Sequence, residues 1–390
     1  PSGAAAAYDT AVLIVNGKNP ALAFDFANDY YRNSGNDSTF ANSINHSRAS
    51  IATMTNSSGN IVSVGIGVPR LDHHIYNGSA WVNEGILHES EARTNLVTYS
   101  NDFTNGSWQK TNITVAADQT TGLDGTVSAT EVGSTNTPTF SYCIATTANR
   151  TGTLSYFAKQ NTERFFVIVR GAYSSGDWAI FDLSNGTVSQ SPTYSGSSAH
   201  ITLMSDGWYR CSLQSSQSST VSAFSVSGSG TDLNTAPAGT LYIWGAQFEQ
   251  GSTPSSYIPT SGSTVTRAAE TLTVPVANLP YSSTNVSTQM NGKITYADNN
   301  SFREVVFLKQ FVTGNYLNYS LYTNSSNTGK LDFTQYASAG GGSKGVNTGG
   351  TYFTPGINIP FNLSARHGST FINGAEGGSV MSANTSMTAL

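Results

Sequence analysis

An all-β fold of tandem antiparallel β-sandwiches is what this 390-residue sequence predicts, on three observations. Alternating apolar and polar runs recur at a spacing of roughly 10–20 residues, with Gly, Asn, Ser and Asp between them, as half-buried strands joined by turns do. No stretch holds a helical period for more than two turns. Charged residues are only 11% of the chain, against about 25% in ordinary domains. The polar surface is therefore built from Ser, Thr, Asn and Gly, which suit turns and solvent-facing strand positions better than helices.

The strands fall into three regions. Residues 1–97 form an irregular, β-rich region for assembly or attachment, with runs at Ala11–Val15, Ala21–Ala27 and Asn60–Gly65. Residues 98–267 hold the densest set: Leu154–Ala158, Arg164–Arg170, Trp178–Leu183, Ala199–Met204, Trp208–Leu213, Val221–Val226 and Thr240–Phe248. Asn185–Gly186 and Asp206–Gly207 are strong hairpin signals. In the last run, strict alternation puts Tyr242, Trp244 and Ala246 on one face. A Pro/Ser/Thr-rich stretch from Ser256 to Arg267 reads as an extended connector. Residues 268–390 carry a second sandwich, with runs from Thr271–Val276 to Ser369–Gly374 and a low-complexity loop at Ser338–Gly350. The chain stops at Met387–Leu390 without a clean final strand, so this sandwich is expected to be incomplete.

Bulk properties narrow the function classes. Net charge is −5 and the 18 basic residues are scattered, so nucleic-acid binding lacks an electrostatic footing. No run of about 20 apolar residues is present to span a membrane. Cys143 and Cys211 are too few for a disulfide framework. Both lie in strand-like stretches and read as reduced core thiols, with a bridge between neighbouring strands as the alternative.

Candidate chemistry starts from aromatics, because sugars stack their C–H faces on Trp and Tyr while amides and carboxylates take the hydroxyls. Trp208 and Trp244 lie in strands and read as core. Trp178, near Tyr173 and Asp177, and Trp81 lie in or beside loops and are the candidate ligand platforms; a loop anchored by a half-buried Trp is the plainer alternative. His73 and His74 are adjacent, so a strand sends them to opposite faces. His88–Glu89 begins like a zinc-protease motif, but Ala92 stands where the second ligand belongs. Gly341–Gly345 (GGSKG) matches the nucleophile-elbow pattern without the strand–turn–helix that the chemistry needs. Acids number 23, and none forms a recognisable pair for glycoside cleavage.

A further signal is the order of short motifs from Arg48 to Arg267. SRASIAT (Ser47–Thr53) precedes VPRLDH (Val68–His73) and GILHESEARTNLVTYSNDF (Gly85–Phe103). NGSWQK (Asn105–Lys110), DGTVSATEV (Asp124–Val132), FDLSNGTV (Phe181–Val188) and DGWYRCSL (Asp206–Leu213) follow. YIWGAQFEQGSTPSSYIPT (Tyr242–Thr260) and SGSTVTRAAETLTV (Ser261–Val274) close the series. This order resembles a family of tailed-bacteriophage structural and adsorption proteins, although YNGSAWVNEG before GILHE is longer than the family's usual short turn. The resemblance implies a carbohydrate-binding-module-like jelly roll over 98–267 and a concanavalin/laminin-G-like sandwich after it. It also implies a structural Ca²⁺ between Asp102 and Glu249, where solvated carboxylates are the alternative.

The function expected from these features is that of a non-enzymatic virion protein. It would be a tail fibre or adhesion component on the particle surface, assembled as a homotrimer with other tail or capsid proteins and binding host-surface glycans. A purely structural head-fibre, decoration or spacer role is the alternative, and a polysaccharide depolymerase the third.

Overall fold

The computed structural model describes residues 20–134, 141–172, 175–204, 206–235, 237, 239–279, 285–296, 305–312, 315–323, 328–337, 342–348 and 353–386. The fold is nearly all β. The chain divides into two units, Pro1–Leu279 and Pro280–Leu390.

The first unit centres on a ten-stranded antiparallel sheet that folds over on itself. Two long strands, Tyr142–Gln160 and Trp208–Ser227, make this possible. Residues 153–160 of the first pair with 208–215 of the second and with Thr240–Glu249. Residues 143–146 of the first pair instead with 221–224 and with Trp108–Thr111. Each long strand thus belongs to both layers, and the pairing register breaks between Thr146 and Gly152, where the strands bend. The remaining strands extend the layers. Ile113–Thr121, Val127–Ser134 and Ser198–Leu203 lie in one, and Phe165–Arg170, Asp177–Asp182 and Thr187–Gln190 in the other.

Alternation sends one set of side chains from each layer inward. Leu154, Tyr156, Leu213, Ile243 and Phe248 meet Trp108, Phe166, Ile168, Phe181 and Phe224 in a single core. Each fully buried side chain of this kind contributes roughly 1.5–3 kcal/mol. Cys143 and Cys211 face this core from opposite layers as free, buried thiols. Burial pushes the Cys143 thiol up to about 12, so it packs as an apolar group.

The outer faces are covered too. Phe157, Trp208, Trp244 and Tyr257 form one outer cluster, and Val167, Val169, Ile180, Ala223 and Leu233 another. Trp208 and Trp244 are therefore buried, as the sequence predicts. Ala246, however, does not share a face with Tyr242 and Trp244. A β-bulge at Gly245 (φ +61°) shifts the register between Ser155 and Phe157. One extra residue reverses the alternation, so Ala246 joins the central core with Leu241 and Ile243.

The N-terminal part is more regular than its sequence suggests. A three-stranded sheet (Leu22–Asp25, Tyr30–Asn33, Asn36–Ser38) packs Phe24, Phe26 and Tyr31 near Phe40. Two hairpins follow, Ala52–Thr55 with Ile61–Val64 and Arg70–Tyr76 with Trp81–Leu87. The run Ala11–Val15 lies outside the described residues.

The expected boundaries at 97/98 and 267/268 fall inside the first unit. Asn45–Arg48 pairs with Glu270–Thr273, and Arg93–Asn95 pairs with Val265–Arg267. These ladders join the segments before and after the sandwich, so the unit runs on to Leu279.

The second unit is a sandwich of two four-stranded sheets. Asn285–Tyr296, Gly356–Gly368, Ile372–Glu376 and Ser379–Val380 form one; Val305–Val312, Asn315–Leu321, Leu331–Ala337 and Gly342–Asn347 form the other. Ile294, Tyr319, Leu321, Phe333, Leu363 and Ile372 pack between them. Part of the expected glycine-rich loop is thus an edge strand. Ser343 of GGSKG lies on it, opposite Tyr336, rather than on a strand–turn–helix elbow.

Candidate functional site

The densest grouping of chemistry-bearing side chains is a buried ionic cluster joining the N-terminal hairpins to residues 265–273. Glu270 Oε1 accepts from Arg48 Nη1 at 2.5 Å and from Arg70 Nε at 3.0 Å. Its Oε2 accepts from Arg70 Nη2 at 2.7 Å and from the Glu89 backbone N–H at 2.8 Å. Glu89 Oε2 lies 2.8 Å from Arg70 Nη1 and 3.0 Å from Arg267 Nε. The Glu89 carboxylate also accepts from Ser256 N and Oγ at 2.8 and 2.7 Å. Arg48 reaches on to the Ser50, Val64 and Gly65 carbonyls, and Arg70 to that of Thr53. The Arg48, Arg70 and Glu270 side chains have no exposed surface.

This cluster ties the segments together, and its Glu270 centre has no exposed surface. His46 Nε2 and His88 Nδ1 stand 3.7 and 3.9 Å from the two Glu270 oxygens. The trio looks like a metal triad, but both carboxylate oxygens already accept arginine donors. Among the described residues, no group of three or more His, Cys, Asp or Glu is arranged to hold a metal ion.

Burial pushes the Glu270 carboxyl up, and its hydrogen bonds and charge pairing with Arg70 more than reverse this, bringing it down to about 2. Glu89 is lowered by the same balance, with Arg70 and Arg267 outweighing burial. Burial, with Arg70 nearby, lowers His73 to about 4, and burial lowers His88 as well. All four groups have depressed folded values, so the stability each contributes is present above its unfolded value and is lost as pH falls through the folded one. The urea midpoint is therefore expected to decline in two legs: from 6.5 toward 4 through His73, with His88 acting in the same direction, then from 4.5 toward 2 through Glu270, with Glu89 acting in the same direction. His73→Gln should shrink the first leg, to which His88 still contributes, and leave the second unchanged. A midpoint constant from 6.5 down to 4.5 would contradict this assignment.

The residues singled out from sequence are scattered by the fold. Asp177 is fully buried. Its Oδ1 accepts from Thr193 N and Tyr194 N at 3.1 and 3.3 Å, and its Oδ2 from Ser215 Oγ at 2.8 Å. It anchors a loop and offers nothing to a sugar. Trp178 lies near the start of the strand Asp177–Asp182, as its run predicts, and is half-buried against the outer apolar cluster of Val167, Val169 and Ile180. Tyr173 lies outside the described residues. Trp81 is half-buried on its hairpin, 5.3 Å from Tyr76 across the strand pair and packed on Gly59.

Asp102 and Glu249 do not fit the calcium site that the resemblance implies. Asp102 Oδ1, on an exposed turn, accepts from Thr104 Oγ1 at 2.7 Å and Asn105 N at 3.1 Å. Glu249 is fully buried and accepts from Ser255 N, Ser255 Oγ and Gln247 Nε2 at 2.6, 2.7 and 2.9 Å. Leu96 N donates to the Phe248 carbonyl and Ala246 N to that of Ser100. This antiparallel path puts Glu249 and Asp102 toward opposite ends, so the donors around each replace a cation.

Sequence reasoning missed a small cleft beside the edge strand Trp108–Thr111. It is a half-open hollow of about 290 Å³ lined by Thr98, Tyr99, Ser107, Trp108, Gln109 and Thr146 among others. Its walls are fixed: Trp108 Nε1 donates to the Tyr99 carbonyl at 2.9 Å, and Gly262 N to that of Thr98 at 2.8 Å.

The architecture places the protein in the class of all-β proteins built from antiparallel sandwiches. No known family model matches the chain, and no curated protein matches its sequence.

Proposed function

We propose that this chain is a non-enzymatic adhesion component of a bacteriophage particle surface, a tail-fibre type of protein that grips host-surface glycans. One observation carries the reading: charge is scarce, at 11% of the chain, and part of it is withdrawn from the surface. Arg48, Arg70, Arg170, Arg267, Asp177, Asp182, Glu249 and Glu270 are all buried. The exterior left behind is rich in hydroxyls and amides, which can hydrogen-bond sugars and exert little long-range pull on polyanions. Buried acids held by arginines, serines and backbone N–H groups are poorly placed for acid–base cleavage.

In this reading the first unit contains a carbohydrate-binding-module-like jelly roll, the second is a concanavalin/laminin-G-like sandwich, and the chain assembles as a homotrimer with other virion proteins. The test is biolayer interferometry of the purified protein on host cells and their surface polysaccharides, with light scattering for the oligomer. Binding to neither cells nor polysaccharides would remove the adhesion role. The same buried ion pairs would equally stiffen an inert head fibre or spacer. Locating the chain in the particle by electron microscopy separates the two, since a tail-tip position favours adhesion and a capsid position the spacer.

A further inference from the structure

We infer that the cleft between residues 97–99 and the edge strand Trp108–Thr111 is a binding subsite for one neutral sugar residue. This rests on the adhesion reading and gives it a location that the motif residues did not indicate. The cleft's volume of about 290 Å³ is at the small end of the roughly 300–1,000 Å³ usual for ligand pockets, the scale of a single ring rather than a long chain.

The lining selects the chemistry. The cleft's lining residues include the hydroxyl-bearing Thr98, Ser107 and Thr146, the amide-bearing Gln109 and Tyr99 with its phenol. These five side chains, exposed or half-buried, hydrogen-bond to no other described residue. Donors and acceptors therefore both remain open to a ligand.

No charged side chain lines the cleft. The two charges nearest in sequence are tied elsewhere. Lys110 Nζ donates to the Thr104, Asn105 and Trp108 carbonyls at 3.1, 3.1 and 3.0 Å, and Asp102 caps its own turn. An anion would find no cation here and a cation no free carboxylate. A purely apolar ligand would leave several polar groups desolvated and unpaired. A neutral polyol with C–H faces satisfies the set, its hydroxyls on Gln109, Ser107 and Thr146 and one face against the half-buried Tyr99 ring.

The backbone suits such a role. Trp108–Thr111 pairs only with Tyr142–Ala145 among the described residues, and Tyr99 is bridged to Ser261. The walls are thus set before a ligand arrives, which lowers the ordering cost of binding.

The test uses the full chain with a panel of methyl glycosides of glucose, galactose, mannose and N-acetylglucosamine, read by saturation-transfer NMR. Interferometry on host-surface polysaccharide is run in parallel. The double variant Gln109→Ala/Thr146→Ala alters exposed positions and removes two hydrogen-bonding groups. It should weaken binding in whichever assay detects it by about tenfold, as loss of two bonds of roughly 0.5–1.5 kcal/mol each implies. Thr187→Ala, at an exposed position outside the cleft lining, should leave that binding unchanged. Undiminished binding by the double variant would overturn the cleft while leaving the adhesion reading standing. Binding of neither glycosides nor polysaccharide by the unaltered chain would overturn both.

Discussion

Glu270→Ala is expected to lower the unfolding temperature of the first unit by on the order of 10 °C. The substitution leaves Arg48 and Arg70, whose side chains have no exposed surface, facing each other without their shared counter-ion. Removing one partner of a buried ion pair typically costs 3–5 kcal/mol, about 2–4 °C per kcal/mol at this size. It also deprives the Glu89 backbone N–H of its acceptor. A triple replacement of Arg48, Arg70 and Glu270 by Met, Met and Leu should be much milder, because it removes the charges together. Calorimetry of the three proteins decides the matter. An unchanged melting temperature for Glu270→Ala would show that water reaches the cluster and that it does not hold the hairpins.

Arg170→Leu is the second large effect, and its cause is different. Arg170 is fully buried, yet among the described residues no carboxylate pairs with it. Its guanidinium donates to the carbonyls of Ala148, Arg150, Ser219 and Val221 and to the hydroxyls of Thr147 and Ser222. Those carbonyls lie where the long strands bend and the ladder breaks its register. The arginine supplies the hydrogen bonds that the interrupted ladder lacks, while Phe248 stacks beneath it at 3.8 Å. Burial lowers it to about 10, so it stays charged at neutral pH. Several unsatisfied buried carbonyls at roughly 1–3 kcal/mol each put the loss on the order of 5 kcal/mol. Arg170→Lys, with fewer donors, should fall between. Urea titration measures the loss, and hydrogen exchange should rise first at 146–152 and 215–221. A leucine variant as stable as the parent would remove this account.

The sandwich strands were legible because alternation survives wherever a strand has a core side. What was not legible is continuity. Gln214–Thr220 is all Gln, Ser and Thr and reads as a turn, yet it is the middle of the Trp208–Ser227 strand. Its backbone is held by the partner strand and by Arg170, and neither constraint leaves a local pattern. The bulge at Gly245 is similar, since one inserted residue reverses a face while the composition stays strand-like.

The ionic cluster had a signal that went unread. Arg48, Arg70, Glu89, Arg267 and Glu270 are among the chain's few charges, and they lie in the segments that carry the resemblance. Their pairing spans up to 222 positions, so only the fold could join them. The cleft is harder still. Tyr99, Ser107 and Gln109 lie within one short stretch, but Thr146 arrives on another strand.

The ladder between Asn45–Arg48 and Glu270–Thr273 has a mechanical consequence. Chain entering at Asn45 and leaving at Thr273 departs from the same end of that ladder, so tension peels it pair by pair instead of shearing it. Peeling meets Arg48 and Glu270 at the fourth pair, where five charged side chains from separate segments are knotted together. Until that junction yields, the whole sandwich hangs beside the line of force as an unloaded loop. A pull delivered along the chain would then leave the shape of the cleft undisturbed.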